Sequence, residues 1–139
     1  MYNFKEDLKL GHVYELKALD RLLNIKPKEY LINQDSGKNS EYDFIYGSVK
    51  YEVKYDKKSK ITGNIFIECK CNNKLSGINL TTSKYYIITD GDIYWKIKTS
   101  EIKEKLTKYK YIKFYTDSYV EGVIIPINDI KQFKTLILI

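Results

Sequence analysis

The run Val49-Lys-Tyr-Glu-Val-Lys-Tyr-Asp56 alternates strictly. A strand here would point Val49, Tyr51, Val53 and Tyr55 one way and Lys50, Glu52, Lys54 and Asp56 the other. Glu52 and Lys54 would then share a face, about 7 Å apart along the strand. Alone, the run also fits an ordinary half-exposed strand with a polar outer face. Three further acids change its meaning. Asp43 lies in the preceding run, Tyr42-Asp-Phe-Ile45, among large apolar residues, although Asp is disfavoured in strands. In the following run Asn64, Phe66, Glu68 and Lys70 share a face, and a hairpin with residues 49–56 would bring Glu68 near Glu52. Glu15 falls in the middle of the apolar arc of an N-terminal helix, close to Leu8 and Leu19. A carboxylate aimed into a core is costly unless it is paired or bound to metal.

Four carboxylates converging beside one lysine make a site for a hard cation. Magnesium takes oxygen ligands and is often held by one or two carboxylates, with water and substrate phosphate completing its shell. Asp43 and Glu52 are the expected ligands, the Val53 carbonyl is an extra one, and Glu15 or Glu68 completes the set. Such an ion acidifies water and shields the charge of a phosphate. Lys54 is placed to orient or help activate that water, or to stabilise the transition state. Mn²⁺ is expected to substitute for Mg²⁺.

The elements that must position these residues can be read from periodicity. Residues 4–24 read as an amphipathic helix with Phe4, Leu8, Leu19, Leu22 and Leu23 on one arc, ended by Pro27. The polar stretch 33–40 reads as a loop. Strands are expected at 42–46, 49–56 and 64–71, adjacent in one sheet with the helix packed across it. Lys57-Lys-Ser-Lys60 reads as a turn, and 76–83 as a short helix. Strands at 85–89 and 93–98 flank the hairpin signal Asp90-Gly-Asp92. A helix at 100–108 follows a Thr99/Ser100 cap, strands follow at 111–115 and 122–127, and Asn128 is expected to cap a last helix. The expected class is α/β, with a mixed central sheet flanked by helices in a single domain, residues 1–139.

Composition narrows the partners. The chain has 139 residues, a net charge of +6 and a pI near 9.1, the sign expected of a nucleic-acid binder. Of 24 basic residues only Arg21 is an arginine. Lysine is a point charge suited to phosphate, whereas arginine's fork reads guanine edges, so backbone and shape should matter more than base sequence. A/T-rich codon bias also favours lysine over arginine. Lys57, Lys58 and Lys60 form a cationic tip where a DNA backbone would pass. Lys103, Lys105, Lys108, Lys110 and Lys113, interleaved with tyrosines, make a second basic stretch. Cys69 and Cys71 read as small core residues, and with His12 the only histidine there is no zinc set. Thr81, Thr82 and Ser83 lack the glycines of a phosphate loop. The absence of a long apolar run and of a signal peptide leads to the expectation of an intracellular, cytoplasmic protein.

Asp43, followed nine residues later by Glu52-Val-Lys54 and preceded by a helix carrying Glu15, resembles the PD-(D/E)xK nuclease superfamily. In particular it is similar to the small Holliday-junction resolvases of phages and archaea. The resemblance spans roughly residues 11–98, and Tyr42 stands where the eponymous motif has proline. It implies a restriction-endonuclease-like core and Mg²⁺-dependent hydrolysis of DNA phosphodiester bonds, with branched or duplex DNA as substrate and a homodimer as the assembly. It also implies a virus-encoded protein acting in its host cell. Glu15 matches the helical acid, Asp43 and Glu52 the metal ligands, and Lys54 the catalytic lysine. Alternatives stay open: a nickase, restriction- or repair-type nuclease on the same scaffold, a catalytically silent nucleic-acid binder, or an interaction protein.

Overall fold

The structure, a computed structural model, describes residues 4–25 and 42–139. Pro27 and the polar stretch 33–40 lie outside the described residues. In chain order come α1 (Phe4–Ile25), β1 (Phe44–Tyr46), β2 (Val49–Tyr55), α2 (Ser59–Thr62), β3 (Asn64–Cys71) and β4 (Lys74–Leu75). A 3₁₀ turn at Gly77–Asn79 leads to β5 (Tyr85–Thr89), β6 (Tyr94–Lys98) and α3 (Thr99–Lys105). A second 3₁₀ turn, Leu106–Lys108, precedes β7 (Lys110–Tyr115), β8 (Tyr119–Pro126), α4 (Ile127–Ile130) and β9 (Ile137–Leu138). No helix among the described residues is long and apolar enough to cross a membrane.

The class is α/β, built on a five-stranded mixed sheet of order β1-β2-β5-β6-β9. β1 and β2 form a hairpin around Gly47 (φ 56°) and Ser48 (φ 66°), the paired left-handed residues that a two-residue type I′ loop requires. β5 lies parallel to β2 in register Glu52↔Tyr86 and Lys54↔Ile88. On one face α1 packs Ala18, Leu19 and Leu22 against Phe44, Tyr51, Val53 and Ile87. The other face is covered by a second sheet, antiparallel and of order β4-β3-β8-β7. Between the sheets Tyr86, Ile88, Trp95 and Ile97 meet Ile65, Ile67, Val123 and Ile125, all buried. Each such side chain contributes roughly 1.5–3 kcal/mol of burial.

Several local expectations change. The run 64–71 is a strand, but it does not neighbour β2, whose two edges are occupied by β1 and β5. Residues 59–62 form α2 rather than an open turn, and they redirect the chain into the second sheet. Within 76–83 only a 3₁₀ turn forms. Thr99 lies inside α3 with Lys98 at its cap, and Asn128 lies inside α4 after Pro126.

β3 carries a bulge between Glu68 and Lys70, where its register against β8 shifts. Two glycines close on this point. A Cβ on Gly122 would lie 2.1 Å from the Ile67 carbonyl oxygen, and one on Gly77 would lie 2.2 Å from the Glu68 carbonyl oxygen. Only glycine permits either approach. They fix the backbone that carries Glu68.

Candidate metal and active centre

Covering both faces of the mixed sheet makes the middle of β2 buried in both directions: Tyr51, Glu52 and Val53 are all buried. Glu52 is therefore not on a half-exposed polar face. It is 6% exposed, with Oε1 3.2 Å from Lys54 Nζ, and its buried Oε2 has no hydrogen-bond partner among the described residues. An unsatisfied buried carboxylate oxygen needs an explanation, and a bound proton, an ordered water and a cation each supply one.

Asp43 stands just before β1, at the sheet edge. Its N–H donates to the Tyr51 carbonyl (2.8 Å), and its Oδ2 accepts from the Val53 N–H (2.7 Å). The carboxylate thus replaces a ladder carbonyl and is held beside the Glu52-Val-Lys54 segment, which explains an Asp in a strand run. N–H and C=O of one strand residue point to the same edge, so the Val53 carbonyl also faces the edge where β1 has ended. From the α1 side Glu15 hydrogen-bonds Asp43, and His12 Nδ1 lies 3.4 Å from Glu15. From the second sheet Glu68 is near enough for its charge to act on Glu52 and Lys54. Glu15, Asp43, Glu52 and Lys54 thus come together, whereas Glu68 acts on them only through its charge, from the second sheet and not through a β2–β3 hairpin.

The electrostatics follow from crowding acids in a buried place. Burial, then the neighbouring Asp43, push Glu15 up to about 8. Burial pushes Glu52 up to about 7 against the opposing pull of Lys54. Burial also raises Asp43, with Lys54, the Val53 N–H and Glu15 pulling the other way. Glu52 holds the Lys54 ammonium charged, well above the usual lysine range. The hydrogen bond between Glu15 and Asp43 raises Glu15 and lowers Asp43, the direction expected when Glu15 is the donor, and Lys54 offsets part of the charge on both. Among the described residues no three His, Cys, Asp or Glu side chains are grouped so as to hold a metal by themselves. Asp43 and Glu52 form a pair, which is what magnesium commonly takes from a protein. The orphaned Oε2 of Glu52 is the atom such an ion would satisfy.

Tyr86 was not among the residues expected here. It is 1% exposed, opposite Glu52 in the parallel register, and burial raises its hydroxyl with Lys54, Glu52, Asp43 and Glu68 all acting on it. The Lys84-Tyr-Tyr-Ile-Ile run marked a strand, but only the parallel pairing selects which tyrosine meets the acids.

The cationic tip is more engaged than expected. Lys57 and Lys58 are exposed, but Lys60 is ion-paired with Asp92 in the β5–β6 loop. Asp56, on the Glu52 face by alternation, accepts from the Phe66 N–H (2.9 Å) and so ties the end of β2 to β3. In the second basic stretch Lys105 bonds Glu101 and Lys113 faces Glu121. Cys69 is buried in the core and Cys71 is half-buried, both free. Compared with known proteins, the chain matches no family model, no curated protein and no solved structure.

Proposed function

We propose that this chain is a magnesium-dependent endonuclease that hydrolyses DNA phosphodiester bonds, selective for structure in the manner of junction resolvases. The observation that carries the reading is the buried, orphaned oxygen of Glu52 beside Asp43 and Lys54. A fold that only needed a stable strand would bury an apolar residue there. Asp43 and Glu52 would hold the ion, with the Val53 carbonyl as a further ligand, and Glu15 would release its proton to solvent as the cluster's charge is neutralised. When bound, the cation supplies a more acidic water and charge neutralisation at the phosphate. Lys54 keeps a compact ammonium at the reacting phosphate, fixed by Glu52, where it stabilises negative charge. Tyr86, buried opposite Glu52, lies within the field of the same groups. A net charge of +6 carried almost wholly by lysine suits a phosphate backbone.

Branched DNA presents two strands for symmetrical cutting, so a homodimer is the assembly this reading calls for. The test is a panel of end-labelled substrates (four-way junction, flap, nick, plain duplex and duplex RNA) with Mg²⁺, with Mn²⁺ and with chelator. Metal-dependent cleavage with preference for a branched DNA is expected. Binding without cleavage of any member under either metal would leave a silent nucleic-acid binder. Preferred cleavage of nicked or plain duplex would move the substrate to a repair- or restriction-type reaction on the same centre.

A further inference from the structure

One end of the mixed sheet, away from the acid cluster, holds an open cleft of about 390 Å³ between the segment before β5 and the start of α3. Hydroxyl residues form much of its wall: Thr81, Thr82 and Ser83 on one side, Thr99 and Ser100 on the other. Three lysines, Lys84, Lys98 and Lys103, complete it, and no acidic residue lines it. Ser83 and Thr99 are each 5% exposed, and their hydroxyl oxygens are buried with no hydrogen-bond partner among the described residues. The three lysines are exposed and form no ion pair among the described residues. Two backbone donors of the cleft are already satisfied, the Lys84 N–H by the Lys50 carbonyl (3.0 Å) and the Thr99 N–H by the Lys84 carbonyl (2.9 Å), which leaves its side chains as the main source of charge and donors. Two buried hydroxyls without a partner, beside three ammonium groups in no ion pair, of which Lys84 lies over the Tyr85 ring (5.6 Å), suit an oxyanion of high charge, since hydroxyls donate and lysine is a compact phosphate-seeking charge.

The cleft is joined to the acid cluster. Lys50 Nζ reaches Thr82 Oγ1 (3.4 Å), and Lys50 stands two residues before Glu52 on the same face of β2, about 7 Å along the strand. A chain of phosphates passing Glu52 therefore runs towards Lys50 and then into the cleft. We propose that this cleft is a second phosphate subsite, which grips a backbone phosphate of the nucleic acid flanking the one at the acid cluster. The ligand's identity rests on the nuclease reading, whereas the existence of the subsite does not.

The experiment measures binding in chelator, where nothing is cut. Anisotropy of a short fluorescein-labelled duplex is followed across a salt series. The parent is compared with the triple variant Lys84→Ala, Lys98→Ala, Lys103→Ala and the double variant Ser83→Ala, Thr99→Val. Inorganic phosphate is titrated separately while the backbone amides of 81–84 and 98–103 are followed by NMR. The triple variant should lose roughly ten- to a hundredfold in affinity at low salt, and its salt slope should fall by about 2–3. The double variant should bind a few-fold more weakly while melting no lower, because it removes hydroxyls that bond nothing in the free protein. Phosphate should shift the named amides. Parental affinity and slope in the triple variant would overturn the subsite and leave the nuclease reading standing if the parent cuts. Shifts with inorganic phosphate but no duplex binding would overturn the backbone assignment in favour of a small phosphorylated ligand. The expected losses of binding in a parent that never cuts would uphold the subsite and overturn the nuclease.

Discussion

Glu52 and Glu101 are buried alike, at 6% and 7% exposure, and their surroundings treat them in opposite ways. Glu101 accepts from Lys105 Nζ (2.9 Å), the Lys134 N–H (2.7 Å), and both the N–H (2.7 Å) and hydroxyl (2.5 Å) of Thr135. Burial pushes it up, but these donors outweigh burial and hold it at about 2. Glu52 has Lys54 at one oxygen, nothing at the other, and three acids around it, and burial carries it to about 7. A carboxylate with all its bonds made clips the C-terminal segment to α3. On the nuclease reading, a carboxylate left short of partners among like charges is the one that takes a cation. Burial alone does not separate structural acids from functional ones; the count of donors does.

The sharpest break between the two is expected in catalysis. Glu52→Gln should lower cleavage by on the order of a thousandfold, whereas Glu101→Gln should stay within a few-fold of the parent per folded molecule. Rates measured under single-turnover conditions, normalised to folded protein, decide this. Next in size is Lys54→Ala, which should slow cleavage by roughly a hundredfold or more without loss of fold. Lys54→Arg should rescue it poorly, because a wide guanidinium does not replace a compact ammonium. If Lys54→Ala cuts at the parental rate, Lys54 has no part in cleavage, and full rescue by Lys54→Arg would mean that charge suffices without the compact ammonium.

Stability should reverse the ranking. Glu101→Gln loses charged hydrogen bonds and should cost about 2 kcal/mol or more by chemical denaturation, whereas Glu52→Gln in metal-free protein should cost little or stabilise. Equal losses in both would remove the distinction.

The two limbs of the pH–stability curve should belong to different acids. Glu101 binds its proton more weakly in the fold than in the unfolded chain, so its contribution is lost as pH falls from about 4.5 towards 2. Glu15 and Glu52 bind theirs more tightly, at about 8 and about 7 against the usual 4.5. The folded form then holds more protons through that window, and metal-free stability falls as pH rises from about 4.5 to 8. Melting curves should show Glu101→Gln flattening the acid limb and Glu15→Gln the neutral one, by a few degrees each. A neutral limb unchanged by Glu15→Gln would mean that Glu15 does not share its proton with Asp43.

Much of this was legible in the chain because local periodicity carried it. The alternations at 49–56 and 64–71, and the apolar run at 85–89 before a hairpin signal, became β2, β3 and β5 with small shifts at their ends. Asp43, Glu52, Lys54 and Glu15 were nameable because each is polar where its element's pattern is apolar, or aligned on one strand face. What stayed hidden was long-range. No local pattern says that β2 accepts β5 in parallel, so Tyr86 and the second sheet could not be placed. Thr81, Thr82 and Ser83 look inert without glycines, and only the approach of Thr99, Ser100 and Lys103 from α3 turns them into a cleft. Glu101, one acid in an ordinary helical run, gives no sign of Thr135, thirty-four residues on.

The central claim is that Glu52 is short of a partner because the partner is a divalent cation. Calorimetric titration of Mg²⁺, and of Mn²⁺, into metal-stripped parent, Asp43→Asn, Glu52→Gln and Glu101→Gln tests it most directly. Saturable binding with proton release is predicted for the parent and for Glu101→Gln, and its abolition in Asp43→Asn and Glu52→Gln. Binding of equal strength in all four proteins, or none in the parent, would contradict the account.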